Sequence, residues 1–312
     1  MTGLALANPN TLCYANSAVL CYLWTSMSRR NFQLADWGQH SATLLEFLHN
    51  STDAPISLDS LVWFDQVITG WDQADDQADS AEFTHRLLNW IGTDIVSNKW
   101  ERRVIHRAKA ELHDQGDAHM PITLQLDLDM IADNDVSLAN LVRLWHGDLG
   151  MSTGLTAPSD IVILHIDRLV HDLNGQVQKL HTSVRFCWTI HLPVLQQDTQ
   201  VRWEPYQLVA AFAHLGGAHG GHYQALLKTF PETTDIACPS MWLFCDDNRL
   251  PTRCWSIPPQ FEEGVTCMWL CKCSQVELHH LPAAPVPTEV MQPSHPAATD
   301  NALVRLLTDS TG

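Results

Sequence analysis

Positive charge is scarce in this chain. Lys and Arg number 18 against 35 Asp and Glu, a formal net charge of −17 over 312 residues. A surface this acidic repels phosphate backbones, which excludes nucleic acid as a direct partner and favours a basic protein or peptide. Long apolar runs are missing too: none approaches the roughly 20 residues that span a bilayer, so no membrane association is expected. The start, Met1 to Ala15, has no basic region ahead of an apolar one, so a secretory signal is not expected and the compartment is read as cytoplasm or nucleus. Nine cysteines, an odd number, give no even disulfide framework and fit reduced thiols. Only 17% of residues are charged while 45% are hydrophobic, a composition that excludes a disordered or collagen-like chain.

The acidic residues gather at Asp72, Asp75, Asp76 and Asp79, and again at Asp127, Asp129, Asp133 and Asp135. Neither group has the glycine and terminal glutamate of a calcium loop, so both read as solvated faces.

Apolar periodicity changes along the chain. Cys13 to Met27, Ser57 to Ile68 and Ala81 to Ile91 carry helical stripes, and Asn98 to His113 is a charged amphipathic stretch read with them. From Pro121 the period becomes two. Strands are expected over 122–130, 161–170, 183–192, 206–215, 222–230 and 265–273, with a short helix around Ser137 to Trp145. Helices first and strands later make an α+β protein. Beyond about residue 276 prolines crowd the chain, a flexible tail with a weak helix expected at Asn301 to Leu307. The domain reading is therefore 1–275, with a helical lobe to about 115 and a sheet lobe from 116, followed by a tail over 276–312.

Three segments carry chemistry. Cys13 lies between a polar turn and a helix, where the helix dipole and free N–H groups favour a thiolate; a buried structural cysteine is the alternative. Gly220-Gly221-His222-Tyr223 opens a strand with a histidine, the usual base for a cysteine nucleophile, although most histidines are not catalytic. Asp246-Asp247 ends another strand, where a carboxylate can orient an imidazole or simply make a turn.

In this order and context the segments resemble those of the ubiquitin-specific proteases, papain-like cysteine peptidases. Gly3-Leu4, Asn8 and Cys13-Tyr14-Ala15-Asn16-Ser17 match the cysteine box. Tyr206, Leu208, His214, Gly216 and Gly221-His222-Tyr223 match the histidine box, and Trp242-x-x-x-Asp246-Asp247 the segment after it. Gln77 to Phe83 with Leu87-Leu88 resembles the family's helix start. Pro158, Ile163-x-x-Ile166-x-Arg168, Lys179, Val184 and Phe186 resemble its strand pair, and Cys267 to Cys273 its closing strand. The resemblance runs from residue 3 to about 275.

It implies a papain-like fold with a helical thumb and an antiparallel β palm. It also implies hydrolysis of the isopeptide bond after the C-terminal glycine of ubiquitin. Cys13 would be the nucleophile, His222 the base and Asp246 its orienter, with Asp247 a further candidate. Asn8 would donate to the oxyanion, where loss of such a donor costs about 2.7–4 kcal/mol. Asp79 and Glu82, with Gly221 and Tyr223, would line the path of the ubiquitin tail; Asp79-x-x-Glu82 also reads as a capping box. A scaffold that binds ubiquitin with little or no activity, and a protease for a ubiquitin-like modifier, are the alternatives.

The chain departs from the family pattern in one large respect. No cysteine occurs from residue 100 to 186, so the paired CxxC motifs of the zinc-binding fingers are missing and the fingers are expected to be cut to a short loop. The Cys254, Cys267, Cys271, Cys273 and His214, His219, His222 spacings are poor zinc patterns. No metal and no cofactor is assigned.

Overall fold

A computed structural model describes residues 5–8, 11–27, 55–60, 62–71, 79–92, 96–106, 109–126, 136–147, 150–171, 174–186, 188–197, 199–218, 220–229, 241–247 and 249–273. The chain divides into two units, Met1–His279 and His280–Gly312. The second, with the expected tail helix, lies outside the described residues, as do the acidic groups apart from Asp79.

Helix α1 (Cys13–Met27) is apolar on every side, and such a helix must be covered on every side. Residues 13–23 are all buried. Around it lie a short parallel pair, β1 (Leu6–Ala7) with β2 (Ile56–Ser57), a 3-10 turn (Leu58–Ser60), α2 (Val62–Ile68) and α3 (Ser80–Ile91). Asp79 caps α3: its Oδ1 accepts from the backbone N–H of Ala81 at 2.7 Å and of Glu82 at 3.1 Å. Gly92 ends the helix with φ +63°, a left-handed value that suits glycine.

The remaining strands are β3 (Trp100–His106), β4 (Lys109–Gln115), β5 (Ile122–Gln125), β6 (Met151–Leu155), β7 (Ile161–Asp167), β8 (Leu169–His171), β9 (Val177–Lys179), β10 (Thr189–Leu195), β11 (Val201–Gly217), β12 (Gly220–Lys228), β13 (Trp242–Cys245), β14 (Thr252–Cys254) and β15 (Val265–Lys272). β8 and β9 form a separate hairpin; the other eleven make one sheet. α4 (Leu138–His146), capped by Ser137, and α5 (Pro259–Gly264) complete the described elements.

Period-two alternation gives this sheet two apolar faces. Ile161 and Ile163 of β7 join the cluster around α1, while Val162, Leu164 and Ile166 face α4 and α5. β11 alternates likewise except at a bulge between Leu208 and Ala210, where Val209 and Ala210 both face α1. β11 is the hub. Its first half pairs with β10, its second half with β12, and β15 runs along its middle.

Two expectations are corrected. Residues 98–113, read with the helical lobe, are not helical: β3 and β4 form an antiparallel hairpin whose first strand also pairs with β6. The strand expected over 183–192 begins only at Thr189; before it, residue 185 makes a single bridge to Ser137.

Arg168 ties the backbone of four residues together. It is 2% exposed, and its guanidinium donates to the carbonyls of Val265, Leu180, Thr182 and Glu262 at 2.7–3.1 Å.

Candidate active site

The fold brings residues from four separate stretches to the start of α1. Cys13 is the first residue of that helix and 4% exposed. The turn before it is tied by Asn8, whose Oδ1 accepts the Leu12 N–H at 2.8 Å.

His222 comes from β12, opposite Leu215 of β11. The glycine before it has a steric reason. A Cβ at Gly221 would stand 2.1 Å from the Leu215 carbonyl and 2.4 Å from His214 Nε2. Its partner Gly216 has φ +124°, and a Cβ there would stand 2.6 Å from the Gly220 carbonyl oxygen.

The imidazole is held on both edges. Nε2 lies 2.7 Å from Asp246 Oδ1; a carboxylate only accepts, so Nε2 carries the hydrogen. Nδ1 is turned inward, 3.7 Å from Asp247 Oδ2. Cys13, His222 and Asp247 offer atoms that all lie within 4.8 Å of one another. The hydrogen bond with Cys13, and behind it those with Asp246 and the charge of Asp247, push the His222 pKa up to about 9 against partial desolvation.

The two aspartates differ in their surroundings. Asp246 follows β13 and also pairs with exposed Arg249 at 3.1 Å. The Asp247 side chain is 7% exposed, and Asp247 is the one non-glycine residue with positive φ, +39°, among those described. Its Oδ2 accepts from Asn8 Nδ2 and its Oδ1 from Asn16 Nδ2, both at 2.9 Å. Burial pushes its carboxyl pKa up, opposed by the Asn16 bond, the nearby imidazole and the Asn8 bond.

The four residues expected to carry catalysis, with Asp247, therefore meet. Asn16 was legible only as a letter of the cysteine box. Its signal was spacing: three residues after Cys13 it lies one turn along α1, 1% exposed although polar.

The residues expected along the ubiquitin tail are more dispersed in role. Asp79 lines a cavity of about 360 Å³ with Ser80, Lys179, His214, Gly220 and Tyr223. Glu82 is exposed on α3 and Gly221 is exposed beside His222. Tyr223 is buried and stacks on His214, ring centroids 4.6 Å apart. Lys179 Nζ lies 3.1 Å from His214 Nδ1. Burial, then the Lys179 charge, pushes the His214 pKa down to about 4, and burial with Arg168 pushes Lys179 down to about 8.

Cys13, Cys21, Cys245, Cys254 and Cys267 are free thiols. No helix among the described residues is long and apolar enough to cross a membrane.

Residues 4–260 match the model of one family, ubiquitin carboxyl-terminal hydrolase. Among solved structures, the chain is similar to the SAGA Ubp8/Sgf11/Sus1/Sgf73 DUB module bound to ubiquitin aldehyde, with 15% identity and TM-score 0.64 over 88% of this chain and 70% of that one. It is similar to the same module with a mutated Ubp8 bound to monoubiquitin, with 14% identity and TM-score 0.62 over 88% and 69%. A yeast SAGA DUB module carrying a mutant Sgf73 gives 16% identity and TM-score 0.55 over 88% and 66%. At these identities the likeness is one of fold. No curated protein matches the chain.

Proposed function

The chain belongs to the ubiquitin carboxyl-terminal hydrolase family, a family of deubiquitinating thiol proteases, and from that premise we propose that it hydrolyses the isopeptide bond after the C-terminal glycine of ubiquitin at Cys13. The observation that carries this reading is the convergence of Cys13, His222 and Asp247 within 4.8 Å, with Asp246 on the outer edge of the imidazole.

The steps follow from those positions. The Cys13 thiolate attacks the glycine carbonyl carbon, and the carbonyl electron pair moves onto oxygen. Asn8 Nδ2 donates to that oxyanion. Its bond to Asp247 fixes the amide plane and so the direction of the second amide hydrogen. The tetrahedral species collapses, the C–N bond breaks, and imidazolium His222 gives its proton to the departing lysine amine. Water then attacks the thioester with His222 as base, releasing ubiquitin's carboxylate and restoring the thiolate–imidazolium pair. Asp246 orients the ring throughout. Ubiquitin as substrate is supported by the family and by the ubiquitin held in the similar modules. Asp79, with Glu82, Gly221 and Tyr223, is proposed to line the approach of its C-terminal tail. Free thiols and acidic charge support a place in the cytoplasm or nucleus.

The test is steady-state hydrolysis of ubiquitin bearing a fluorogenic C-terminal amide. Turnover that disappears in Cys13→Ala, with the fold intact by circular dichroism, supports the reading. Binding of ubiquitin without turnover in the wild type would replace it with the scaffold reading. Turnover of a ubiquitin-like modifier alone would change the substrate.

A further inference from the structure

The inner edge of the site combines a thiol, an imidazole and a carboxylate, the three donor types that zinc takes from proteins. With Zn–S about 2.3 Å and Zn–N and Zn–O about 2.0–2.2 Å, a tetrahedral zinc holds such atoms about 3.3–3.7 Å apart. His222 Nδ1 and Asp247 Oδ2 are already 3.7 Å apart. The third atom, on Cys13, is within 4.8 Å of both.

The surroundings are those of a supported metal site. A metal-binding histidine characteristically gives its other ring N–H to a carboxylate, and ligating carboxylates are themselves hydrogen-bonded. Here His222 Nε2 donates to Asp246, and both oxygens of Asp247 are held, one by Asn8 and one by Asn16. Cys13 is 4% exposed and the Asp247 side chain 7%, while the His222 side chain is 39% exposed, so the imidazole is the part of the group that solvent reaches. Among the described residues this is the one group of three such side chains close enough to share an ion.

We propose that Cys13, His222 and Asp247 bind one Zn²⁺ reversibly and that the ion inhibits the enzyme. The binding stands on the geometry alone; the inhibition rests on the hydrolase reading above. The thiolate sulfur, His222 Nδ1 and a carboxylate oxygen each donate a lone pair to the ion, and water takes the fourth position. One proton leaves the Cys13–His222 pair for the buffer, and nothing is oxidised or reduced. With the sulfur lone pair and Nδ1 both committed, neither nucleophile nor base is available until the ion leaves.

The experiment uses the full chain freed of metal by a chelator and then dialysed. Titration with Co²⁺ should give a thiolate-to-cobalt charge-transfer band that saturates at one ion per chain and is displaced by Zn²⁺. Cys13→Ser should lose the band; Cys13→Ala, checked for its fold, should lose it too. Competition with a chromophoric chelator should show Zn²⁺ binding weakened about 10–100-fold in Asp246→Asn, which touches only the outer edge of the imidazole. It should be weakened at least as much in Asp247→Asn. In parallel, hydrolysis of fluorogenic ubiquitin should fall in proportion to Zn²⁺ occupancy and return on adding chelator. A charge-transfer band that persists without Cys13, or Zn²⁺ affinity unchanged in both aspartate variants, overturns the site. If the metal-free chain hydrolyses nothing, the hydrolase reading fails, and the cobalt spectrum still decides the metal site.

Discussion

Asn8 and Asp247, 239 positions apart in sequence, are joined by a 2.9 Å hydrogen bond. The bond ties the loop before Cys13 to the loop after β13. Because Asp247 also takes a hydrogen bond from Asn16, one buried carboxylate sets two amides beside Cys13. Asn8 and Asp247 should then act as a unit. Asn8→Ala and Asp247→Ala should each lower kcat/KM by about 10²–10³. The double variant should lose little beyond the larger single effect, because coupled groups are not additive. Kinetics of the four proteins on fluorogenic ubiquitin check this; fully additive losses would mean that Asp247 does not work through Asn8.

The raised pKa of His222 sets the alkaline limit. Cys13 first, then Asp246, keeps the ring protonated up to about 9. Activity that needs the imidazolium should persist to about that pH and fall above it. The same shift affects stability. The folded value lies above the unfolded value of about 6.5, so the stabilisation is complete below about 6.5 and is lost as pH rises through about 9. Urea unfolding of wild type and His222→Gln at about pH 6 and about pH 10 should show the variant losing less on going alkaline.

Gly221 has no room for a side chain. The nearest obstacle to a Cβ is the backbone carbonyl of Leu215, 2.1 Å away, which moves only if β11 moves. Gly221→Ala should cost about 1–3 kcal/mol and shift the adjacent His222. Thermal melting should record the first effect and kcat on fluorogenic ubiquitin the second.

Arg168 is a structural keystone of the sheet lobe. Replacing it strips four main-chain carbonyls of their partner, and buried unpaired groups cost about 1–3 kcal/mol each. Arg168→Met should therefore destabilise by about 3 kcal/mol or more. Arg168→Lys should not restore the loss, because a lysine cannot reproduce the planar fork. Urea midpoints of the three proteins test both statements.

Much of this was legible in the sequence, and the exceptions have physical causes. α1 and α3 were readable because apolar residues recur at helical spacing, and Asp79 announced its cap. β7, β11, β12 and β15 were readable because their two faces meet different cores. The β3–β4 hairpin was not. Glu101, Arg102, Arg103, Lys109, Ala110 and Glu111 are good helix formers, and both strands are largely half-buried or exposed, so no clean alternation marks them. What makes β3 a strand is its pairing with β6 more than 45 residues later, a tertiary effect that overrides local preference. The site was legible as letters of three motifs. The division of labour between Asp246 and Asp247 was not, since it depends on which carboxylate faces Nε2 and which faces the two asparagines.

The most direct measurement is mass spectrometry of the chain after reaction with ubiquitin carrying a C-terminal electrophile. The account predicts a single covalent adduct, on Cys13, that is absent in Cys13→Ala and strongly slowed in His222→Gln. A folded wild type that forms no adduct, or one that labels another cysteine instead, would contradict it.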